Sequence, residues 1–254
     1  GNADRIFEPY RAKEGLSREL AAGLFMHFLV FFNVGDRSWA ISQNILIGGR
    51  DVEGNDLSNL CSYALLDAYY SMNLPQPILS VKLHENTPDE MYGELGRFLF
   101  SPGCLTPSFF NDDALFKVLE DRGVERDDLA DYSVAGCQEP LIMGKDNGNT
   151  TNSWLNLGKI LELTLNSGKS AISGKQICSC DTSCETNEQA AALLSNIREL
   201  YYKNVDYFMH RMAKAANGAC EALSHLPVPF LSVFMGGLQS GIDMRDVNEQ
   251  GTKY

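Results

Sequence analysis

Between residues 39 and 123 the chain alternates short apolar runs with longer segments of helical period, and few folds accommodate that order. Residues 39–47 alternate well enough to read as a strand, and they stop at Gly48-Gly49. Residues 55–71 then place Leu60, Ala64, Leu65 and Ala68 on one helical face, with Asp56 or Ser58 as N-cap candidates. Residues 77–83 form a short apolar strand. Thr87-Pro88-Asp89-Glu90 opens a further helix, with a capping residue, a proline at the first helical position and acids in the first turn. A strand or loop over residues 107–110 precedes a helix over 112–122 that Gly123 stops. Strands alternating with helices predict an α/β fold with at least partly parallel pairing.

The flanking segments extend this pattern. Leu16, Leu20, Gly23, Leu24, His27, Phe28 and Phe31 recur at three- and four-residue spacing and predict a helix over residues 16–33. Residues 132–140 read as a strand and loop, 144–152 as a polar stretch, and 153–166 as a helix ended by Gly168. A long helix over 188–223 turns Ile197, Leu200, Tyr201, Val205, Phe208 and Met212 to its buried side. With no repeat, low-complexity tract or linker, residues 1–254 read as one domain or a large piece of one. Gly251-Thr252-Lys253-Tyr254 stops without a capping or solvating tail, so the chain is expected to be cut from something longer.

Composition excludes several functions. The 254 residues are 44% hydrophobic and 21% charged, ample for a buried core. With 33 acidic against 21 basic residues the net charge is −12, which opposes a nucleic acid partner. The most apolar stretch, residues 20–34, is interrupted by His27 and flanked by charge, so no membrane span is expected. Residues 1–18 do not form a secretory signal, and seven scattered cysteines suit a reducing interior, so a cytoplasmic location is expected.

Chemistry concentrates at Cys137-Gln138-Glu139. On extended backbone, side chains two apart share a face, so thiol and carboxylate would enter one cavity. Gly144, Asp146, Asn147, Asn149, Thr150, Thr151 and Asn152 follow between a strand and a helix, where open α/β structures present ligand loops. A hydrolytic cysteine would need a histidine base, but His27, His84, His210 and His225 lie far off in sequence and read as surface or satisfied core residues. Cys178, Cys180 and Cys184 could hold a metal with one further ligand or form a solvated reduced loop; their spacing matches no zinc or iron–sulfur pattern, and no metal site is expected. Cys61, Cys104 and Cys220 read as core, and Gly48-Gly49 and Gly236-Gly237 as close packing or helix ends.

Gly136-Cys137-Gln138-Glu139-Pro140, then Gly144-Lys145, then Asn156-Leu157-Gly158-Lys159-Ile160-Leu161-Glu162 through Leu165 and Gly168 resemble the glycyl radical enzymes, the pyruvate formate-lyase-like superfamily, in their dehydratase and decarboxylase branch. Gln43-Asn44, Phe110-Asn111-Asp112, Pro229-Phe230-Leu231-Ser232 and Gly251-Thr252-Lys253-Tyr254 extend the resemblance over almost the whole chain. It implies a portion of a β/α barrel with the active-site cysteine on a loop inside. Cys137 would carry a thiyl radical and Glu139 would act as general base on a small polar metabolite in a C–O, C–N or C–S elimination or a decarboxylation. No cofactor is expected in the chain itself. The resemblance implies a radical on a separate glycine, installed by an S-adenosylmethionine-dependent activating enzyme, and is compatible with a homodimer.

There are departures from the pattern. Thr150 and Thr151 stand where glycerol and propanediol dehydratases carry a His-Asp pair, which disfavours those substrates; with Gln43 they are candidates for the pocket lining. Gln138 is polar where many members carry valine. No Arg-Val-x-Gly-Tyr-like segment is present, so the chain alone is expected to be inert. The alternative expectation is a truncated, non-catalytic binding or assembly module that keeps the lyase-like core.

Overall fold

A computed structural model describes residues 1–34, 43–104, 106–136, 138–146, 153–180, 182, 184–246, 249 and 251–254. They divide into two compact units, residues 1–148 with 234–236 and 252–254, and residues 149–233 with 237–251.

The first unit is built on three parallel strands, β1 (Asn44–Gly48), β2 (Ile78–Leu83) and β3 (Ser108–Asn111), in that spatial order. Asn44 pairs with Ile78 and Gly48 with Lys82; Ser80 pairs with Ser108 and Leu83 with Asn111. α3 (Leu60–Met72) connects β1 to β2, α4 (Asp89–Gly96) connects β2 to β3, and α5 (Asp112–Asp121) follows. The parallel pairing expected from the alternation is therefore present. Of the first strand, β1 covers only the end, and residues 39–42 lie outside the described residues. α3 begins later than expected: Asn59, not Asp56 or Ser58, is its cap, accepting from the Cys61 amide at 2.9 Å, while Ser62 completes the capping box. Asp56 is engaged instead by Ser58 and by His84 Nε2 at 3.0 Å.

α1 (Ala3–Glu14) and α2 (Arg18–Val34) precede the sheet. Ile45, Ile47, Leu79 and Val81 point from β1 and β2 into a core with Ala21, Ala22, Phe25, Leu29, Leu65 and Leu66. Each fully buried leucine there contributes about 1.5–3 kcal/mol. The spacing that disclosed α2 does not mark its buried face. Leu20, Leu24 and Phe31 are exposed, while Ala21, Ala22, Phe25 and Leu29 are covered, because this helix is apolar on more than one side. α1 is anchored by Asp4, which is fully buried and accepts from the Gly48 amide at 2.7 Å, Ser62 Oγ at 2.6 Å and the Arg5 amide at 2.8 Å. Burial raises its pKa, against the pull of those bonds.

The opposite face of the sheet, from which Asn44, Leu46, Ser80 and Lys82 project, is covered by an antiparallel hairpin of β4 (Tyr132–Ala135) and β5 (Glu139–Ile142). Leu46 packs there with Phe116, Leu129, Tyr132, Val134 and Ile142. The glycine pair at the end of β1 is close packing, as expected. A β-carbon on Gly48 would stand 2.8 Å from the Lys82 carbonyl oxygen, and one on Gly49 would stand 2.7 Å from Asp112 Oδ2.

In the second unit α6 (Leu157–Leu165), capped by Asn156, packs on α7 (Asn187–Ser224), capped by Thr186 with Gln189. All six side chains expected on the inner face of α7 are half-buried. The residue buried on α7 is the polar Asn204, which donates to Thr164 Oγ1 at 2.9 Å and to Cys180 Sγ at 3.3 Å. Cys178 is buried, which corrects the solvated loop expected there, and Cys184 is exposed. Cys220, expected in the core, is also exposed, because the last turns of α7 show most of their surface to solvent.

Candidate active site

The hairpin carries the candidate residues on its turn. Ala135 pairs with Glu139, and the Gln138 amide closes the turn on the Ala135 carbonyl at 3.0 Å. Gly136 has φ +44° and Gln138 φ +81°, so the backbone is left-handed on both sides of position 137. This corrects the extended backbone expected for the tripeptide, since a reversal over so few residues requires positive φ. Glycine takes that conformation freely, whereas glutamine takes it under strain.

Glu139 is half-buried at the start of β5. Its carboxylate folds back across the turn, and a β-carbon on Gly136 would lie 3.1 Å from Oε2. The missing side chain at Gly136 thus leaves room for the carboxylate beside the turn. Cys137, Thr150 and Thr151 lie outside the described residues. Gln43, half-buried just before β1, accepts from the Ile78 amide at 2.7 Å through its carbonyl; its side-chain Oε1 is buried, and among the described residues nothing donates to it.

Contacts remote in sequence fix the hairpin on the sheet, and local sequence patterns do not disclose them. At the tip, Asn44 Nδ2 donates to the Gly136 carbonyl at 3.0 Å. Along β4, the Tyr132 carbonyl accepts from Lys82 Nζ at 3.2 Å and from Asn2 Nδ2 at 3.4 Å. Lys82 also donates to Asn2 Oδ1 and the Ala130 carbonyl, both at 3.2 Å, and lies 3.9 Å from the Tyr132 ring centroid. Burial depresses the Lys82 pKa to about 8, with the Asp112 charge opposing the shift. The Tyr132 hydroxyl donates to Asp112, and its own pKa is pushed upward by burial and by that carboxylate.

At the far end of β5, buried Asp128 accepts from Lys145, from Lys253 Nζ at 2.6 Å and from the Tyr254 hydroxyl at 2.6 Å. The Tyr254 amide in turn donates to the Lys145 carbonyl at 2.8 Å. Burial alone would raise the Asp128 pKa, but these donors hold it well below the usual carboxylate range. Among the described residues no group of three or more His, Cys, Asp or Glu side chains is placed to hold a metal ion. A cavity of about 300 Å³ beside α1 and α2 is lined by Phe7, Leu24, Phe25 and Phe28, and its wall is almost wholly apolar, unsuited to acid–base work.

The family model described as pyruvate formate lyase-like matches residues 1–254. The chain is 28% identical to (2S)-3-sulfopropanediol dehydratase of Klebsiella oxytoca over 84% of its own length and 25% of that protein. It superposes on the structure reported for 1,2-propanediol dehydration in Roseburia inulinivorans with TM-score 0.77 and 27% identity, covering all of this chain and 33% of that one. A glycyl radical enzyme from Archaeoglobus fulgidus shares the fold with TM-score 0.76 at 24% identity, over 96% of this chain and 33% of that one. The chain thus spans about a quarter of the curated relative and a third of the solved ones. Its sheet, helices and hairpin are part of the barrel that these neighbours share. No helix among the described residues is long and apolar enough to cross a membrane.

Proposed function

Because the chain belongs to the pyruvate formate lyase-like family, we propose that it is the hairpin-bearing part of a glycyl radical lyase that eliminates a C–O, C–N or C–S substituent from, or decarboxylates, a small polar metabolite. Cys137 is the hydrogen-atom carrier and Glu139 the general base. The observation that supports this assignment is the Glu139 carboxylate folded across the turn on which Cys137 stands, over a glycine that leaves it space.

A glycyl radical, held on a segment this sequence does not contain and installed by an S-adenosylmethionine-dependent activating enzyme, supplies the hydrogen-abstracting equivalent to the Cys137 sulfur. That sulfur takes one hydrogen atom from a substrate carbon and becomes a thiol again. Glu139 removes the proton of an adjacent hydroxyl, and the leaving group departs with its bonding electron pair. The product radical then recovers a hydrogen atom from Cys137. Gln43, Thr150 and Thr151 are proposed to line the pocket, and the protein to work in the cytoplasm. The test uses the radical-activated enzyme in its longest natural form. Cys137→Ala is expected to abolish turnover while still accepting the stored radical, and Glu139→Gln to lower turnover by about 100-fold or more, the range attributed to a positioned acid–base group. Turnover in Cys137→Ala at the unmodified rate contradicts the proposal.

A further inference from the structure

Gln138 lies between the two candidate catalytic residues, and the mechanism above gives it no role. Its side-chain orientation follows from its neighbours. Asn44 donates through Nδ2 to the Gly136 carbonyl at 3.0 Å, and a carbonyl can only accept, so Asn44 Oδ1 faces the other way. That oxygen accepts from Ser80 Oγ and from Gln138 Nε2, each at 3.4 Å. Gln138 must therefore present its NH2 group to Asn44 and turn Oε1 away. Oε1 is buried, and among the described residues nothing donates to it.

The residue is thus doubly unfavourable. It is a non-glycine at φ +81° and it buries an unpaired acceptor, where an apolar side chain would leave nothing unpaired. A buried acceptor left open beside a reactive turn is suited to a donor that arrives with the ligand.

We propose that Gln138 is a specificity-determining residue whose Oε1 accepts a hydrogen bond from a hydroxyl group of the substrate, with Asn44 and Ser80 holding the amide in that orientation. This rests on the lyase assignment for the location of the substrate. It assigns the substrate class at this wall as a hydroxyl-bearing compound and excludes an acceptor-only group, such as a sulfonate or carboxylate oxygen, from the same position. A site built around such a bond discriminates strongly against analogues that lack the donor, because the buried acceptor is then left unpaired.

The test measures binding to the complete, unactivated protein, so it does not depend on radical formation. Dissociation constants are determined by ligand-observed NMR for propane-1,2-diol, 2-aminoethanol and 2-hydroxyethanesulfonate, each against its O-methyl ether. At least one hydroxyl probe is expected to bind about tenfold or more tightly than its ether, the scale of one lost hydrogen bond to a buried partner. Gln138→Met, similar in size and unable to accept comparably, is expected to reduce that preference to about threefold or less in a protein whose far-UV circular dichroism spectrum is unchanged. A preference that persists in Gln138→Met, or the absence of any hydroxyl preference in the unmodified protein, overturns the proposal. A buried water satisfying Oε1 gives the second of these results. Loss of turnover in Cys137→Ala would stand whichever way the binding experiment falls, so the two assignments fail separately.

Discussion

Raising the pH above neutrality is expected to stabilise the folded protein through Lys82. Its side chain is fully buried beneath β4, and burial depresses its pKa from 10.5 to about 8. In the unfolded chain the same amine titrates at its ordinary value. Between about pH 8 and 10.5 the unfolded state therefore holds a proton that the folded state has released, and stability rises with pH across that window. Below it both states are protonated, and the folded state bears the full penalty of a buried ammonium. The interval from about 8 to 10.5, at about 1.4 kcal/mol per pH unit, corresponds to about 3 kcal/mol. Tyrosines and cysteines titrate in the same range, so the quantity to measure is the difference between the unmodified protein and Lys82→Met. Urea denaturation followed by far-UV circular dichroism, repeated from about pH 7 to 10.5, gives that difference directly. It is expected to move by about 3 kcal/mol in favour of the unmodified protein. A flat difference, or one that moves the other way, refutes the argument, because it means that the amine is as well solvated in the folded state as in the unfolded chain.

Gly136→Ala places a β-carbon 3.1 Å from Glu139 Oε2 on a backbone at φ +44°. A loss of about 1–2 kcal/mol in urea denaturation is expected, with a larger proportional loss of turnover in the activated enzyme as the carboxylate is displaced; unchanged kinetics would separate Glu139 from catalysis. Asp128→Ala leaves Lys145 and Lys253 without their shared carboxylate; both lysines are about two-fifths exposed, so solvent screening limits the expected loss to about 1–2 kcal/mol. Because the folded Asp128 pKa is depressed, its contribution is complete above about pH 4 and declines as the pH falls further. The stability gap between Asp128→Ala and the unmodified protein should narrow in acid, and a gap that widens there contradicts the assignment of the Lys145 and Lys253 contacts.

The strand and helix alternation was legible because each element carries its own period and punctuation: Gly48-Gly49 ends β1, Pro88 precedes α4, and Gly123 ends α5. The long helix was legible nearly to its ends, since its capping box and half-buried stripe are local signals. α1 was missed because it carries little apolar periodicity: Ala3 and Asp4 are its buried residues, Phe7 packs on the core, and much of the rest of its surface is polar. The cap of α3 was misplaced because Asp56, a good local cap, is drawn into a tertiary contact with His84. At the candidate site, the motif singles out Cys137, Gln138 and Glu139 without disclosing the geometry of the turn that carries them. The left-handed turn at Gln138 follows from antiparallel pairing of Ala135 with Glu139, and the partners that hold the hairpin are remote in sequence: Asn44 to Gly136 and Gln138, and Lys82 to Tyr132. Contacts at such separation leave no periodic trace in the chain.

The most direct measurement is electron paramagnetic resonance on the longest natural form of the protein, incubated without oxygen with S-adenosylmethionine and the activating enzyme proposed for it. A glycyl radical doublet that forms equally in the unmodified protein and in Cys137→Ala, but decays on addition of substrate only where Cys137 is present, is the expected result. A protein that turns over substrate with no such doublet, or a doublet consumed by substrate in the absence of Cys137, would contradict the assignment of radical chemistry to this hairpin.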